Sequence, residues 1–151
     1  MHIVAGDLWT YNALAYSTIY RGVTTNSTLN SSNDLVMGAG VALQAKDRYP
    51  ELPTRLGHAI AAAPDVSMHV FHDIHIFSFQ TKDDWRKPSR LDLIGLSLME
   101  LQRNAEIYNA YAWVLPLPGC GNGGLDWHSQ VRPLIVEEYH LPDNVYLILN
   151  N

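Results

Sequence analysis

Apolar and polar positions alternate along the chain so that strands and helices are predicted in turn. Short runs of apolar and β-branched residues predict strands, at 1–9 (a strand and a turn), 19–25, 111–117 and 145–149. The segment 66–80 predicts a hairpin or two closely spaced strands. Apolar residues three and four positions apart predict a helix over 91–108, with Ser89 as its N-cap. Further helices are predicted over 41–49, 52–63 and 127–139.

This alternation indicates an α/β domain, because strands that are apolar throughout need helices on both faces of their sheet. The polar tract 26–33 is predicted to be a loop. Ligands of such sheets bind beyond the carboxyl ends of the strands, in the loops that lead into helices. Three segments are expected there, namely 6–7, 26–40 and 118–126.

Length and composition narrow the class of protein. The 151 residues, 47% of them hydrophobic, suffice for one core, so 1–151 is expected to be a single domain. The net charge of −5 argues against non-specific adhesion to nucleic acid or anionic membrane, although it leaves room for a locally basic site. A single cysteine, no signal-peptide pattern and no long apolar run predict a cytoplasmic protein without a membrane span.

The most informative stretch is 115–127, an apolar strand that runs into a glycine-rich loop and then a helical pattern. Four of the six residues 119–124 are glycine. Backbone N–H groups of such a loop approach an anion closely, and a following helix N-terminus adds partial positive charge. The spacing matches neither the dinucleotide fingerprint nor the P-loop. On these residues alone, a phosphate loop and a turn that only requires positive φ remain open.

Several motifs together resemble the macrodomain family of ADP-ribose binders. They are GDL at 6–8, MGAGVA at 37–42 and PGCGNGGLDW at 118–127. The segments FQTK at 79–82 and WRKPSRL at 85–91 are most similar to the DNA ADP-ribosyl glycohydrolase antitoxins, the DarG branch. They resemble the terminal ADP-ribose protein glycohydrolase more distantly. The resemblance covers essentially the whole chain and implies a three-layer α/β/α fold with a central mixed sheet.

The resemblance also implies a binding role for each motif. Asp7 would accept a hydrogen bond from the adenine amino group, and the N–H of Leu8 would meet a ring nitrogen. One turn would hold the distal ribose and phosphates: Met37, Gly38, Ala39, Gly40 and Val41. The downstream loop would close over the diphosphate from the other side: Pro118, Gly119, Cys120, Gly121, Asn122, Gly123 and Gly124. Backbone donors of this kind suit a diphosphate site in an acidic chain.

Two residues are implied in catalysis. Lys82 falls on the lysine that the glycohydrolase branch uses at the anomeric carbon C1″, and Asn26 would lie near the distal ribose. A lysine would either attack C1″ to form a transient adduct or protonate the leaving group. The expected function is removal of ADP-ribosyl groups from a macromolecule, with a DNA base favoured and protein the other substrate. Single-stranded DNA carrying ADP-ribose is then the expected partner, and the protein is expected to act as a monomer.

Departures from the family pattern leave alternatives. The protein-directed branch pairs its lysine with an aspartate where this chain has Gly123, and 26–33 differs from the family's usual loop. A non-catalytic reader or sink of ADP-ribose, or of a related nucleotide signal, is therefore the second hypothesis. The third is processing of a small ADP-ribose derivative, dependent on Asn26 or a loop-held water.

Some of these residues also have plain structural interpretations. Lys82 precedes two aspartates and would serve equally as a solvated loop charge. Trp85 and Arg86 are compatible with nucleic-acid stacking and phosphate contact or with packing at an edge. Cys120 is expected to be a buried filler rather than a nucleophile. The histidine spacing does not predict a metal site, and no cofactor is expected.

Overall fold

A six-stranded sheet forms the middle of the fold in the computed structural model, which describes residues 1–149. The strands are β1 (His2–Ala5), β2 (Ile19–Thr25), β3 (Val70–Phe71), β4 (Ile76–Gln80), β5 (Ala112–Pro116) and β6 (Val145–Leu149). Their order across the sheet is β1-β6-β5-β2-β4-β3. Every neighbouring pair is parallel except β3 and β4, which form the predicted hairpin. The predicted mixed sheet is confirmed.

Three α-helices surround this sheet: α1 (Gly40–Arg48), α2 (Leu52–Ala62) and α3 (Leu91–Ile107). The predicted last helix forms over 127–138, as two π-helical segments, Trp127–Val131 and Leu134–Glu138, joined by Arg132 and Pro133 in α-helical conformation. Pro133 has φ −58° and ψ −41°, so it continues the helical backbone although it has no N–H to donate. Residues 1–149 contain no helix with the length and apolarity of a membrane span.

The helix caps confirm one prediction and correct another. Asp126 caps the first π-helical segment by accepting a hydrogen bond from the backbone N–H of Ser129. Ser89 does not cap α3, whose N-cap is Arg90 without a side-chain hydrogen bond. The Ser89 hydroxyl donates to Thr81 instead, because the segment before α3 folds back onto the end of β4.

Side chains of successive strand residues point to opposite faces of the sheet and pack in cores on both sides of it. Phe77 packs with Trp113 and Leu98 in the core beneath α3 and the π-helical segments. Its neighbour Ile76 packs with Leu56 in the core beneath α1 and α2. Because side chains alternate along β4, this strand packs against the helical layers on both faces of the sheet. The predicted three-layer α/β/α architecture is confirmed.

The parallel strands bring the chain segments of interest to one edge of the sheet. Strands β1, β2, β4, β5 and β6 run in the same direction, so their carboxyl ends meet there. The segments that follow β1, β2, β4 and β5 contain Asp7, Asn26, Lys82 and the glycine-rich loop, respectively. Residues far apart in sequence are thus gathered at one site.

Candidate functional site

A cleft of about 760 Å³ opens at the carboxyl edge of the sheet. The loops after β1, β2, β4 and β5 and the start of α1 line it. Among the lining side chains of residues 1–149, only Asp7 and Lys82 carry formal charge. An anion in this cleft would therefore be held mainly by backbone N–H groups rather than by a cluster of lysines.

The first turn presents Asp7 at one end of the cleft. Asp7 Oδ1 accepts a hydrogen bond from the backbone N–H of Trp9 at 2.8 Å, and its carbonyl accepts from that of Tyr11 at 2.9 Å. The adjacent Leu8 side chain is buried against Val114 and Ile148. These contacts hold the Asp7 carboxylate on a closed turn at the cleft rim, where it was predicted to recognise adenine.

Arg21 holds this turn against the sheet. This role was not predicted from the sequence. Arg21 lies in β2, and its Nη1 donates to the carbonyl oxygens of Leu8 at 2.6 Å and Tyr11 at 2.9 Å. Burial lowers the pKa of the Arg21 guanidinium, opposed by Tyr49 and Asp7, yet arginine remains cationic at neutral pH. A lone cation inside an apolar strand was the available signal, because a half-buried charge requires partners.

Replacing Arg21 with methionine should loosen the first turn while keeping most of the side-chain volume. Two carbonyl oxygens lose a charged donor, so we expect the free energy of unfolding to fall by about 2 kcal/mol. Affinity for an adenine nucleotide should fall with it, because the turn presents Asp7. Thermal unfolding and calorimetry with ADP-ribose measure the two effects.

Arg55→Met is the matched control for this substitution. Arg55 pairs with Asp73 at 2.9 Å on the surface, where the two side chains are 35% and 62% exposed. Exposed pairs contribute little to stability and this one lies outside the cleft, so the variant should keep its nucleotide affinity. Equal losses of affinity in the two variants would contradict the role given to Arg21.

The glycine turn before α1 forms an uncapped helix N-terminus at the cleft. Its N-cap, Ala39, makes no side-chain hydrogen bond, and the first turn contains no acidic residue. Gly40 has φ +57°, a left-handed conformation that favours glycine. Met37 is buried in the core below the turn, whereas Gly38, Ala39, Gly40 and Val41 line the cleft. The free N–H groups of this helix end suit an anion.

The loop after β5 faces that helix end from the other side of the cleft. A Cβ built on Gly40 would lie 2.9 Å from Nδ2 of Asn122, so the two segments meet there. The loop closes on itself through the N–H of Leu125, which donates to the carbonyl of Gly119 at 3.0 Å. Only some of the residues predicted to bind in this loop line the cleft. Residues 119–123 line the cleft, whereas Pro118 is buried and Gly124 is exposed beside it.

Close packing explains the glycine at position 123. A Cβ built there would lie 2.2 Å from Oγ of Ser89 and 2.5 Å from the carbonyl oxygen of Gly119. The backbone N–H of Ser89 also donates to the Gly123 carbonyl at 2.9 Å, which joins the segment before α3 to the glycine-rich loop. The position has no space for an aspartate unless the loop moves.

Lys82 lies half-buried where these two segments meet. Its Nζ donates to the carbonyl of Asn122 at 3.4 Å, a long hydrogen bond across the cleft mouth. The Gln80 amide donates to the Lys82 carbonyl at 3.1 Å and steadies the backbone. Asp83, the neighbour in the chain, is paired with Arg90 instead of Lys82. The amine therefore lies at the cleft and is not paired with Asp83 or Asp84, the two aspartates that follow it.

The Asn26 side chain organises its own loop. Its Nδ2 donates to the carbonyl of Val36 at 2.9 Å, and its Oδ1 accepts from the N–H of Thr28 at 2.8 Å. Asn26 is buried and lines the cleft. These bonds use the side-chain carbonyl oxygen and one amide N–H of Asn26. The predicted part of Asn26 in catalysis remains a prediction.

Cys120 lacks the environment of a nucleophile. Burial, with a smaller contribution from Asp126, raises the pKa of its thiol to about 11. The sulfur lies 3.3 Å from the carbonyl oxygen of Pro118. The thiol is therefore protonated at neutral pH and unreactive. Within residues 1–149, no group of three or more histidine, cysteine, aspartate or glutamate side chains is placed to hold a metal ion.

Several lining residues were not predicted from the sequence. They are Thr24, Thr25, Val36, Ala42, Gln44, Thr81, Ser89, Pro116, Leu117 and Ile148, whereas Trp85, for which nucleic-acid stacking was one interpretation, also lines the cleft. Gln44 is one of the informative ones, because its Oε1 accepts from Nε1 of Trp9 at 2.8 Å and so links α1 to the first turn. Its position one turn into the helix, after Gly40, was the available signal.

Comparison with known proteins places the chain in a family. The sequence matches no protein-family model. It is 36% identical over 128 residues to a DNA ADP-ribosyl glycohydrolase of Mycobacterium tuberculosis, a match that covers 79% of this chain and 36% of the relative. The solved macrodomain of Mycobacterium tuberculosis DarG is 30% identical, with coverage of 97% of this chain and 95% of that one and a TM-score of 0.70. The chain belongs to the macrodomain family, in its DarG branch.

A second solved structure supports this assignment. The macrodomain of Thermus aquaticus DarG is 26% identical, covers 99% of this chain and 97% of that one, and has a TM-score of 0.72. The predicted macrodomain resemblance is thereby confirmed. The chain spans 36% of the length of the mycobacterial glycohydrolase that it matches. The residues of this macrodomain that were predicted to bind or react remain predictions.

Proposed function

We propose that this macrodomain binds ADP-ribose and hydrolyses the bond that joins it to a base of single-stranded DNA. The observation that carries the proposal is the Lys82 amine, which reaches the glycine-rich loop at 3.4 Å across the mouth of the cleft. The name of the mycobacterial relative, a DNA ADP-ribosyl glycohydrolase, supports the same reaction class.

The proposed orientation of ADP-ribose follows from the chemistry of the cleft. Adenine would lie at the first turn, where the Asp7 carboxylate accepts its amino protons. The diphosphate would lie between the N-terminus of α1 and the glycine-rich loop, which offer uncapped N–H groups without acidic side chains. The distal ribose would then extend toward Lys82, which brings C1″ to the amine.

Lys82 would supply the reacting group in this arrangement. Cleavage at C1″ passes through an oxocarbenium-like centre, so the leaving base must gain a proton and C1″ must gain a nucleophile. The amine would either attack C1″ or protonate the base, and water would complete the hydrolysis. The absence of space for a carboxylate at position 123 favours a mechanism without a lysine–aspartate pair.

Release of ADP-ribose from two substrates tests the proposal. The protein is incubated with single-stranded DNA carrying one ADP-ribosylated base and, separately, with protein ADP-ribosylated on carboxylates, and free ADP-ribose is separated by chromatography. We expect release from the DNA. Release from the protein substrate alone would overturn the DNA assignment, and release from neither would overturn hydrolysis.

A reader of ADP-ribose is the second candidate. It is favoured by the tight packing at Gly123, which leaves no space for an aspartate that would act together with Lys82. A reader would bind ADP-ribose in calorimetry and leave both ADP-ribosylated substrates intact. Absence of any heat of binding, together with no shift of the melting temperature by ADP-ribose, would overturn both candidates.

A further inference from the structure

Trp85 lies at the mouth of the cleft with 53% of its surface exposed. Large aromatic side chains usually bury most of their apolar surface, so an exposed indole that lines a ligand cleft indicates a contact surface. Trp85 follows Lys82 by three positions in the chain. Both residues line the same cleft, so a substrate whose C1″ meets the Lys82 amine has the Trp85 ring in the same cleft wall.

The segment that holds Trp85 is fixed before any ligand binds. The carbonyl of Asp83 accepts a hydrogen bond from the N–H of Ser27 at 3.0 Å, which ties the segment to the loop after β2. Asp84 Oδ1 accepts from the backbone N–H of Arg86 at 2.9 Å and closes a turn around Trp85. The backbone that carries the ring is therefore preorganised, so a partner that contacts Trp85 loses little affinity to ordering of the loop.

The charges around Trp85 indicate how a partner would be recognised. The guanidinium of Arg86 lies 5.8 Å from the Trp85 ring centroid and is paired with Asp84 at 2.7 Å. Arg90 is paired with Asp83 and Asp92. Because these two arginines already have carboxylate partners, they offer little to a phosphate backbone, and the exposed Lys87 is the neighbouring cation left for such a contact. The flat indole is the stronger recognition element, and its chemistry suits a nucleobase.

We propose that the Trp85 ring stacks on a nucleobase next to the modified one in a single-stranded DNA substrate. This inference rests on the proposed function and adds a subsite to it, outside the part of the cleft that holds ADP-ribose. Stacking accepts any base, since every base has a π-face, so the subsite would favour single-stranded DNA over a modified mononucleotide without reading its sequence.

The test measures binding in a Lys82→Ala background, so that no ligand is consumed. Two ligands are compared: a single-stranded oligonucleotide with one internal ADP-ribosylated base, and the same modified base as a mononucleotide. Trp85→Leu should weaken binding of the oligonucleotide about tenfold, given the usual strength of base–aromatic stacking. Binding of the mononucleotide should stay unchanged, and Trp85→Phe should restore most of the oligonucleotide affinity.

Met99→Ala is the matched control, because Met99 is exposed to the same extent, at 52%, on α3 outside the cleft. Equal losses for oligonucleotide and mononucleotide, or a comparable loss for an ADP-ribosylated peptide, would overturn base stacking while the proposed function stands. Unchanged oligonucleotide binding by Trp85→Leu would also overturn it. If the Lys82→Ala protein binds neither ligand and the wild-type protein does not bind ADP-ribose, the proposed function fails and the subsite fails with it.

Discussion

Replacing Lys82 with alanine should lower the rate of ADP-ribose release from modified single-stranded DNA by about 100-fold or more, as expected when a proton donor or nucleophile is removed. Affinity for ADP-ribose should change little. The Lys82 amine makes only a 3.4 Å hydrogen bond to the Asn122 carbonyl, so its loss should leave the glycine-rich loop in place. Single-turnover release and calorimetry measure the two quantities separately.

Two further variants sharpen this prediction. Lys82→Arg keeps the positive charge but is a poor nucleophile and a poor proton donor, so it should stay inactive if the amine itself reacts. Lys46→Ala is the control, because Lys46 lies in the last turn of α1 and does not line the cleft. A Lys82→Ala protein as active as wild type would contradict a catalytic role and favour the reader. Borohydride trapping of an adduct on wild type would distinguish attack at C1″ from protonation of the base.

Replacing Gly123 with aspartate should disrupt the site rather than supply a catalytic acid. The new Cβ would lie 2.2 Å from Ser89 Oγ and 2.5 Å from the Gly119 carbonyl oxygen, so the loop must shift. We expect the free energy of unfolding to fall by about 2 kcal/mol, as in other overpacked sites. Affinity for ADP-ribose should fall as well, because the shifted loop no longer faces α1. Chemical denaturation and calorimetry provide both values.

The loop offers its own stability control. A Cβ built on Gly121 meets no heavy atom within 4 Å, so Gly121→Ala should unfold at nearly the same denaturant concentration as wild type. The double variant Ser89→Gly with Gly123→Ala removes the close contact with Ser89 Oγ and keeps the one with the Gly119 carbonyl. Its free energy of unfolding should therefore lie between the values of Gly123→Ala and wild type. A Gly123→Asp protein with wild-type stability and affinity would show that the loop yields easily and would contradict the packing argument.

Secondary structure was predicted best where a local pattern is strong. The β-branched run at 19–25 predicted β2 with the bounds Ile19–Thr25, and the apolar spacing near Leu98 predicted α3. The last helix was predicted correctly in extent but not in type. Its residues carry a helical pattern and the backbone is helical over 127–138, but π-helical turns form on either side of Arg132 and Pro133, where proline has no N–H to donate.

The Ser89 prediction was wrong for a different reason. A serine shortly before a helix is a common N-cap, and nothing local distinguishes this one. Its hydroxyl bonds to Thr81 and its N–H to Gly123, which lies 34 positions further along the chain. Such a partner is visible only when the loops before α3 and after β5 meet.

Local patterns along the chain were enough to predict the succession of strands and helices, the edge of the sheet that carries the cleft, and the backbone-donor character of its two glycine-containing turns. These properties follow from periodicity and from the local conformations open to glycine, so neighbouring residues suffice to specify them. Three features became apparent only in the folded chain: Arg21 holds the first turn, Lys82 reaches Asn122, and position 123 has no space for a carboxylate. Those outcomes depend on distances between segments that are remote in sequence, and packing of the whole domain determines such distances.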